Sequence, residues 1–593
     1  MAGQTGETLL QLGLLFGGEV GIISSYHRAF AAQEIQHGNA AAAHPGHEDF
    51  LVLPFAFHSI LHAARFACRR LLSQFFASLI LTALRLMLSG SLYCSYTVAF
   101  PRFWFENIMS WSNIFLSTHF LLTLGIALRV IYARRSSSAA LAWLTLLFAF
   151  PFVGVAAYLL IGEPKLGRLR AARRAELHAF HDEFADRFLP PEAAPVADIR
   201  FRQLARFVQG RAGYAPTGDN GVRLLADTDE ILQAFVDDID AAQHCCLLEF
   251  YIVDGSGRVE AVLEALMRAA DRGVRCQLLA DSLGSQGFWL SDWPDWLREA
   301  GVEVTAALPF GLISSLWVRA DVRNHRKILV VDYRIAYTGS YNLVDPKLFK
   351  QGAGVGEWVD AVLRCEGVAA QELAAVFYGD WAVENSHNLN ATLEYLSGYL
   401  TGTHERFAGS GSETLQVLPS HPGGDTSLVY DVLVNALNVA QESVIISTPY
   451  FVPDEALLNT LTMTAQRGVK VTLILPRRND SRLVRYASSA YYQPLLDAGV
   501  RLKMYGGGLL HTKAVVVDNR FALFGTVNMD MRSFYLNLEV SLALYSPDTV
   551  AAVAALLQGY LKDCEEVELK KWQQRPRIRR FVERCVRLAS PLL

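Results

Sequence analysis

The sequence predicts an α/β fold made of two similar halves packed pseudo-symmetrically and preceded by a two-helix transmembrane hairpin. Three observations carry this reading. The string His-x-Lys-x-x-x-x-Asp occurs twice, from His325 to Asp332 and from His511 to Asp518. The segments ahead of each copy match element by element: Glu249 to Asp254 with Thr448 to Asp454, Arg272-Gly273-Val274 with Arg467-Gly468-Val469, and Leu297 to Val302 with Leu495 to Val500. Two apolar runs, Ile114 to Ile131 and Ala139 to Ile161, each approach the ~20 residues that cross a bilayer.

With 593 residues the chain has room for two or three domains with sizeable cores. A hydrophobic fraction of 52% and a mean hydropathy of +0.21 point to membrane segments. The net charge of -4 argues against bulk nucleic-acid binding. The eight Cys show no Cys-x-x-Cys spacing, so they read as reduced, buried or incidental, with no zinc site.

Residues 1–108 form an N-terminal extension of unassigned role. His37, His44 and His47 lie in an Ala/Gly/Pro-rich stretch that reads as a surface segment, and Leu71 to Leu88 fits an amphipathic helix as well as a span. Residues 109–162 are the expected hairpin, with Trp111, Trp143 and Tyr158 placed near the interfaces. Arg134 and Arg135 lie in its loop, whereas Lys165, Arg168, Arg170, Arg173 and Arg174 follow it, a bias that places the downstream body in the cytoplasm.

A linker region, 163–220, leads to the first half at 221–408 and the second at 409–593, with the Gly/Ser stretch Ala408 to Ser412 at the seam. In each half, helical patterns such as Val259 to Arg272 and Glu455 to Arg467 separate apolar strands, which is a βαβ arrangement. Near the C-terminus, Arg575, Arg577, Arg579, Arg580, Arg584 and Arg587 interleave with apolar residues; a solvated helix face and contact with anionic lipid both fit.

In each motif, four apolar residues before the Asp read as a buried strand, and the Asp opens a turn. Side chains alternate along a strand, so His325 and Lys327 share a face while Asp332 has the opposite parity. The same holds for His511, Lys513 and Asp518. His and Lys therefore serve one site, and the two Asp either orient neighbours or cap turns. Seventeen residues after each His stands an Asn, in Gly339-Ser340-Tyr341-Asn342 and Gly525-Thr526-Val527-Asn528. Glycine permits close approach of an anion, while Ser340, Asn342, Thr526 and Asn528 offer hydrogen bonds and each Lys a charge, so a phosphate site is expected twice. Asp360 and Glu539, on later strands of each half, are candidates to orient a His through its other nitrogen, with a structural ion pair as the alternative.

Two such His suffice for phosphodiester exchange without metal or cofactor: one attacks phosphorus and the other protonates the departing alkoxide. No carboxylate cluster with metal-ligand character accompanies the motifs, so neither is expected.

The paired motif, together with Arg323-Asn324-His325-Arg326-Lys327, Thr448 to Asp454, Gly508-Leu509-Leu510-His511 and Asn528 to Phe534, resembles bacterial cardiolipin synthases of the phospholipase D superfamily. The resemblance covers Met109 to Leu593. It implies two phospholipase D-like halves in a multi-pass enzyme of the bacterial inner membrane. It further implies a phosphatidyltransferase that makes cardiolipin and glycerol from two phosphatidylglycerols through a phosphatidyl-histidine, with His325 as nucleophile and His511 as acid and base. Partners are then phosphatidylglycerol and membrane lipids, with no nucleic acid. A phospholipase D-type hydrolase and a catalytically idle lipid-binding scaffold are the alternatives, and phosphatidylethanolamine or another alcohol remains open as acceptor. One difference between the halves stands out: Gly301 precedes His325 by twenty-four residues, and Gly499 precedes His511 by twelve. The added segment, Leu308 to Trp317, is apolar; its Phe310, Leu312, Ile313, Leu316 and Trp317 are expected to dip into the lipid interface, with packing in the core between the halves as the alternative.

Overall fold

The computed structural model describes residues 111–132, 137–150, 152–162, 176–189, 192–309, 321–385, 392–394, 396–397, 411–422 and 427–587. The N-terminal extension, most of the seam at 408–412 and the apolar insertion from 310 onward lie outside these residues.

The first half contributes strands β1 (Thr217–Leu225), β2 (Cys245–Phe250), β3 (Arg275–Asp281), β4 (Glu303–Ala307), β5 (Lys327–Val331), β6 (Ile335–Gly339), β7 (Trp358–Val359) and β8 (Val362–Glu366). The second contributes β9 (Glu413–Ser420), β10 (Ser443–Ser447), β11 (Phe451–Val452), β12 (Lys470–Pro476), β13 (Arg501–Tyr505), β14 (Leu509–Leu510), β15 (Ala514–Val517), β16 (Phe521–Gly525), β17 (Met529–Asp530), β18 (Glu539–Leu544) and β19 (Cys564–Glu566). Fifteen of them form one sheet, in the order β19-β13-β12-β10-β15-β16-β18-β9-β1-β8-β6-β5-β2-β3-β4. Apart from β19 the order runs alike from both ends, which is the signature of a pseudo-twofold. The axis passes between β9 and β1, which pair antiparallel.

Both motif strands are buried along their whole length, because helices cover both faces of the sheet. That is why Lys327 to Val331 and Ala514 to Val517 are continuous apolar runs after their Lys rather than alternating ones. Each half has its own core, Leu248, Leu266, Leu278 and Leu329 in the first and Leu433, Leu457, Val471 and Val515 in the second. A further cluster joins Ile328 and Val330 to Val516, Phe524 and Leu542 across the axis, under the helix Val368–Asn385. Each such side chain contributes about 1.5–3 kcal/mol on burial, so the halves are held together by core packing. Cys245, Cys246, Cys276 and Cys365 are buried free thiols within it.

Two features differ from the sequence reading. Within the expected linker, the helix Ile199–Ala212 packs into the second half's core, with Phe201 stacked on Phe521 at 4.8 Å. The second apolar run is not one helix: helices span Ser137–Ala149 and Val153–Ile161. Pro151 falls between them, and a proline has no N–H with which to continue the ladder. Trp111–Tyr132 precedes them, and among the described residues no helix is long and apolar enough to cross a membrane.

Candidate active site

Each motif His lies just ahead of its strand, where its own half's chain meets the other half. His325 N–H donates to Leu538 O at 2.9 Å, one residue before Glu539. His511 N–H donates to Val359 O at 2.8 Å, one residue before Asp360, and β14 pairs with β7 there. This backbone pairing sets the side-chain geometry. His325 Nδ1 lies 2.8 Å from Glu539 Oε2, and His511 Nδ1 lies 2.7 Å from Asp360 Oδ1. Glu539 and Asp360 therefore do orient the imidazoles, but crosswise, each carboxylate serving the opposite half. A carboxylate only accepts, so Nδ1 carries the proton and Nε2 is left with its lone pair.

Both imidazoles line one cavity of about 370 Å³. His511 packs against Trp358 with ring centres 4.4 Å apart, and His325 against Tyr251 at 5.0 Å. His325 is the more open, 8% exposed against 2% for His511. Asn342 Oδ1 accepts from Ile252 N–H at 3.2 Å, which fixes the amide and leaves Nδ2 buried without a protein partner. Arg323 Nε and Trp358 Nε1 are also buried donors without a partner, and both residues line the cavity. Three unmet donors around two imidazoles suit an anion. Asn528 lines the cavity as well, with Nδ2 3.3 Å from Ser533 Oγ.

Lys327 and Lys513 lie beneath the histidines, each ammonium donating to the carbonyl of its own motif His at 2.7 and 2.6 Å. Burial pushes Lys327 down to about 8 and Lys513 down to about 7, and it pushes both His325 and His511 down to about 4. Burial raises the Asp360 carboxyl, but His511 and Lys513 outweigh it and hold the group below its ordinary range.

An anionic diester favours the protonated form of every one of these bases, so their pKa values rise when it binds. Of the free site's cations, Lys513 loses its proton first as pH rises. The alkaline limb of kcat/KM, which reports the free enzyme, is expected at lower pH than that of kcat, which reports the complex in which the bound anion holds these groups protonated. Coincident limbs, or a kcat limb at lower pH, would contradict this electrostatic account.

Four expected site residues are placed elsewhere. Asp332 accepts from the backbone N–H groups of Gln243, His244 and Cys245 at 2.7 to 2.9 Å. Asp518 does the same with Gln441, Glu442 and Ser443 and also receives Arg200 Nη1 at 2.7 Å. Both Asp stand at left-handed φ in the turn after the motif strand, on the far side from the histidines. They cap the starts of β2 and β10 and belong to the scaffold; each amide bond to such a charged acceptor contributes about 1.5–3 kcal/mol.

The Ser340 and Thr526 hydroxyls are likewise engaged by the scaffold. Ser340 Oγ accepts from Ala361 N–H at 3.1 Å, and Thr526 Oγ1 donates to Glu539 Oε2 at 2.5 Å, which steadies the carboxylate that holds His325. The adjoining glycines serve strand packing: a Cβ on Gly339 would stand 2.5 Å from Ala361 O, and one on Gly525 2.4 Å from Val540 O.

Several cavity residues escaped the sequence reading. Tyr251 and Tyr450 occupy matching places in the repeated strings, and that repetition was the available signal. Trp358, Asp530 and Asn537 carry no repeat signal. Asn537 Nδ2 donates to Glu539 Oε1 at 3.2 Å, leaving Oδ1 as a buried acceptor without a partner. Burial raises the Asp530 carboxyl to about 6. The first motif's Arg326 spans the seam, donating to Glu539 O at 3.1 Å and Ser420 O at 3.2 Å while pairing with Asp380.

Comparison with known proteins gives the chain's family. The family described as cardiolipin synthase, PLD-like domain, matches residues 235–381 and 433–561, and a phospholipase D-nuclease N-terminal family matches 121–163. The chain is 39% identical over 500 residues to a cardiolipin synthase A of Erwinia tasmaniensis, covering 82% of this chain and 99% of that one. It is 39% identical over 498 residues to a cardiolipin synthase A of Escherichia coli O1:K1 / APEC, with the same coverage. Among solved structures, phosphatidylserine synthase from Haemophilus influenzae Rd KW20 shares the fold, with a TM-score of 0.50 at 15% identity, over 67% of this chain and 100% of that one.

Proposed function

The chain belongs to the cardiolipin synthase family of phospholipase D-like proteins, and we propose that it joins two phosphatidylglycerols into cardiolipin and glycerol through a phosphatidyl-histidine. The observation that carries this reading is the crossed pair: two buried imidazoles on one cavity, each held by a carboxylate of the opposite half.

The first lipid's phosphodiester sits between the histidines, its non-bridging oxygens on Asn342, Lys327, Lys513 and Asn528. Nε2 of His325, the more open ring, attacks phosphorus. The P–N bond forms as the P–O bond to glycerol breaks, and the alkoxide takes the Nε2 proton of His511, which that ring gains once the anionic diester has bound. That imidazolium is stabilised by Asp360, and the charge developing on phosphorus is met by donors already in place. A second glycerol headgroup then gives its hydroxyl proton to His511 and displaces His325, closing the cycle. Asn537 Oδ1 and the Asp530 carboxylate supply acceptors that a polyhydroxy headgroup satisfies, which favours phosphatidylglycerol over a lone alcohol.

Among the described residues, no three His, Cys, Asp or Glu side chains converge to hold a metal ion, and the scheme asks for none. We place the enzyme at a membrane. Phe120, Leu121, Leu128, Ile131, Leu141 and Phe148, on the helices from Trp111 to Ala149, are exposed, which suits seating in lipid.

Purified protein given labelled phosphatidylglycerol alone, with EDTA, is expected to yield cardiolipin and an equal amount of glycerol, and to stay with the bilayer through an alkaline wash. Phosphatidic acid as main product would assign a hydrolase, and no turnover a scaffold. Activity lost to EDTA and restored by a divalent ion would overturn the metal-free scheme, and release into the wash the membrane seat.

A further inference from the structure

The helix Arg577–Arg587 turns an unusual face to the protein. Its most buried side chain is Glu583, held by Arg575 at 2.7 Å and by Arg579 at 3.3 Å. Ile578, Phe581, Val582 and Cys585 share the opposite side at i, i+3, i+4 and i+7, and all four are exposed, Ile578 at 70% and Phe581 at 64%. A surface helix normally buries such a stripe. The helix Arg482–Ser489 packs alongside and exposes Leu483 and Tyr486. Arg482, Arg485, Arg577, Arg580 and Arg584 border this apolar ground, and none pairs with a carboxylate among the described residues.

The patch adjoins the chemistry. Val484, between Leu483 and Arg485 on the same helix, lines the catalytic cavity, as does Val452 of β11, against which that helix packs. Apolar side chains ringed by unpaired arginines suit a surface that is apolar below and anionic above, which describes a phospholipid bilayer rich in negative headgroups. A second copy fits less well, because a twofold contact would set the same arginines against one another.

We propose that these two helices dock the catalytic body onto an anionic bilayer, with Ile578, Phe581, Val582, Leu483 and Tyr486 in the boundary between headgroups and acyl chains and the arginines on lipid phosphates. Docking this way sets the mouth of the cavity against the lipid. The proposal rests on the reading that the substrates are phospholipids, and it adds an attachment independent of the helices between Trp111 and Ile161.

The test uses the full chain with Cys68, Cys94 and Cys564 changed to Ser and an environment-sensitive fluorophore on Cys585. Vesicles of phosphatidylglycerol and phosphatidylethanolamine are expected to shift its emission to the blue, and lipids spin-labelled near the headgroup to quench it. Phosphatidylcholine vesicles should do neither. In parallel, the triple variant Ile578→Ser, Phe581→Ser, Val582→Ser should lose about tenfold or more of its turnover on vesicles while keeping turnover on monomeric short-chain phosphatidylglycerol within about twofold.

An unchanged probe on anionic vesicles overturns the proposal. So does a blue shift that appears without lipid and grows with protein concentration, which would assign a second copy, or equal loss on both substrates. Should the triple variant melt early, Phe581→Ser alone takes its place, and the probe reading on the native helix stands regardless. If the wild type makes no cardiolipin from either substrate, the functional reading fails while the probe still decides the docking.

Discussion

Changing either His325 or His511 to Ala is expected to lower cardiolipin formation on the order of ten-thousandfold, because neither the covalent route nor proton delivery survives without its imidazole. The losses should not add. Once one His is gone the remaining ring has no reaction to assist, so the double variant should be about as slow as the slower single one. Folding should be little affected, since both rings border a water-accessible cavity and their backbone hydrogen bonds to Leu538 and Val359 persist in the variants. Turnover within about tenfold of wild type for either variant would remove that His from the reaction.

The second large effect belongs to the crossed carboxylates. Glu539→Gln should cost on the order of a hundred- to ten-thousandfold in kcat with little change in KM. The Gln amide nitrogen can donate to His325 Nδ1, which forces the ring proton onto Nε2 and removes the attacking lone pair. Asp360→Asn should do the same to His511, although that His belongs to the other half. Glu539 and Asp360 are positioning residues, so the decisive readout is not activity alone. Nitrogen NMR of the labelled imidazoles should show the His325 tautomer change in Glu539→Gln and the His511 tautomer change in Asp360→Asn. A change confined to the His of the same half in either variant would contradict the crossing. Glu539→Asp, which keeps an acceptor, should recover part of the lost rate.

What the sequence made legible follows the range of the interactions. His325 and Lys327 are two residues apart, and strand parity predicts both their shared site and the separate place of Asp332. The pairing of His325 with Glu539 spans 214 residues and that of His511 with Asp360 spans 151. Each carboxylate follows its own half's motif in sequence, so the crossing became visible only once β14 paired with β7 and Leu538 paired with His325. A hydroxyl beside glycine suits a phosphate and a neighbouring backbone equally well, and in the structure Ser340 Oγ meets Ala361 N–H and Thr526 Oγ1 meets Glu539.

The apolar run from Ala139 to Ile161 illustrates a different limit. Its composition registers affinity for lipid, whereas the helix is interrupted where Phe152 turns to a left-handed φ of 66°. Arg577 to Arg587 shows a third case. The sequence left a solvated helix face and contact with anionic lipid both open, and which face turns inward was decided by the Arg575 and Arg579 bonds to Glu583, a contact that no spacing rule contains.

The central claim is that one imidazole carries the phosphatidyl group while its counterpart manages the proton. A phosphatidyl ester of p-nitrophenol tests it most directly, because so good a leaving group departs without an acid. His511→Ala mixed with this substrate and quenched should release a burst of one p-nitrophenolate per protein molecule and carry the phosphatidyl group on His325, found by mass mapping, while His325→Ala gives neither. A burst and a label on His511 in the His325→Ala protein would reverse the roles, and no label in either protein would contradict the covalent route.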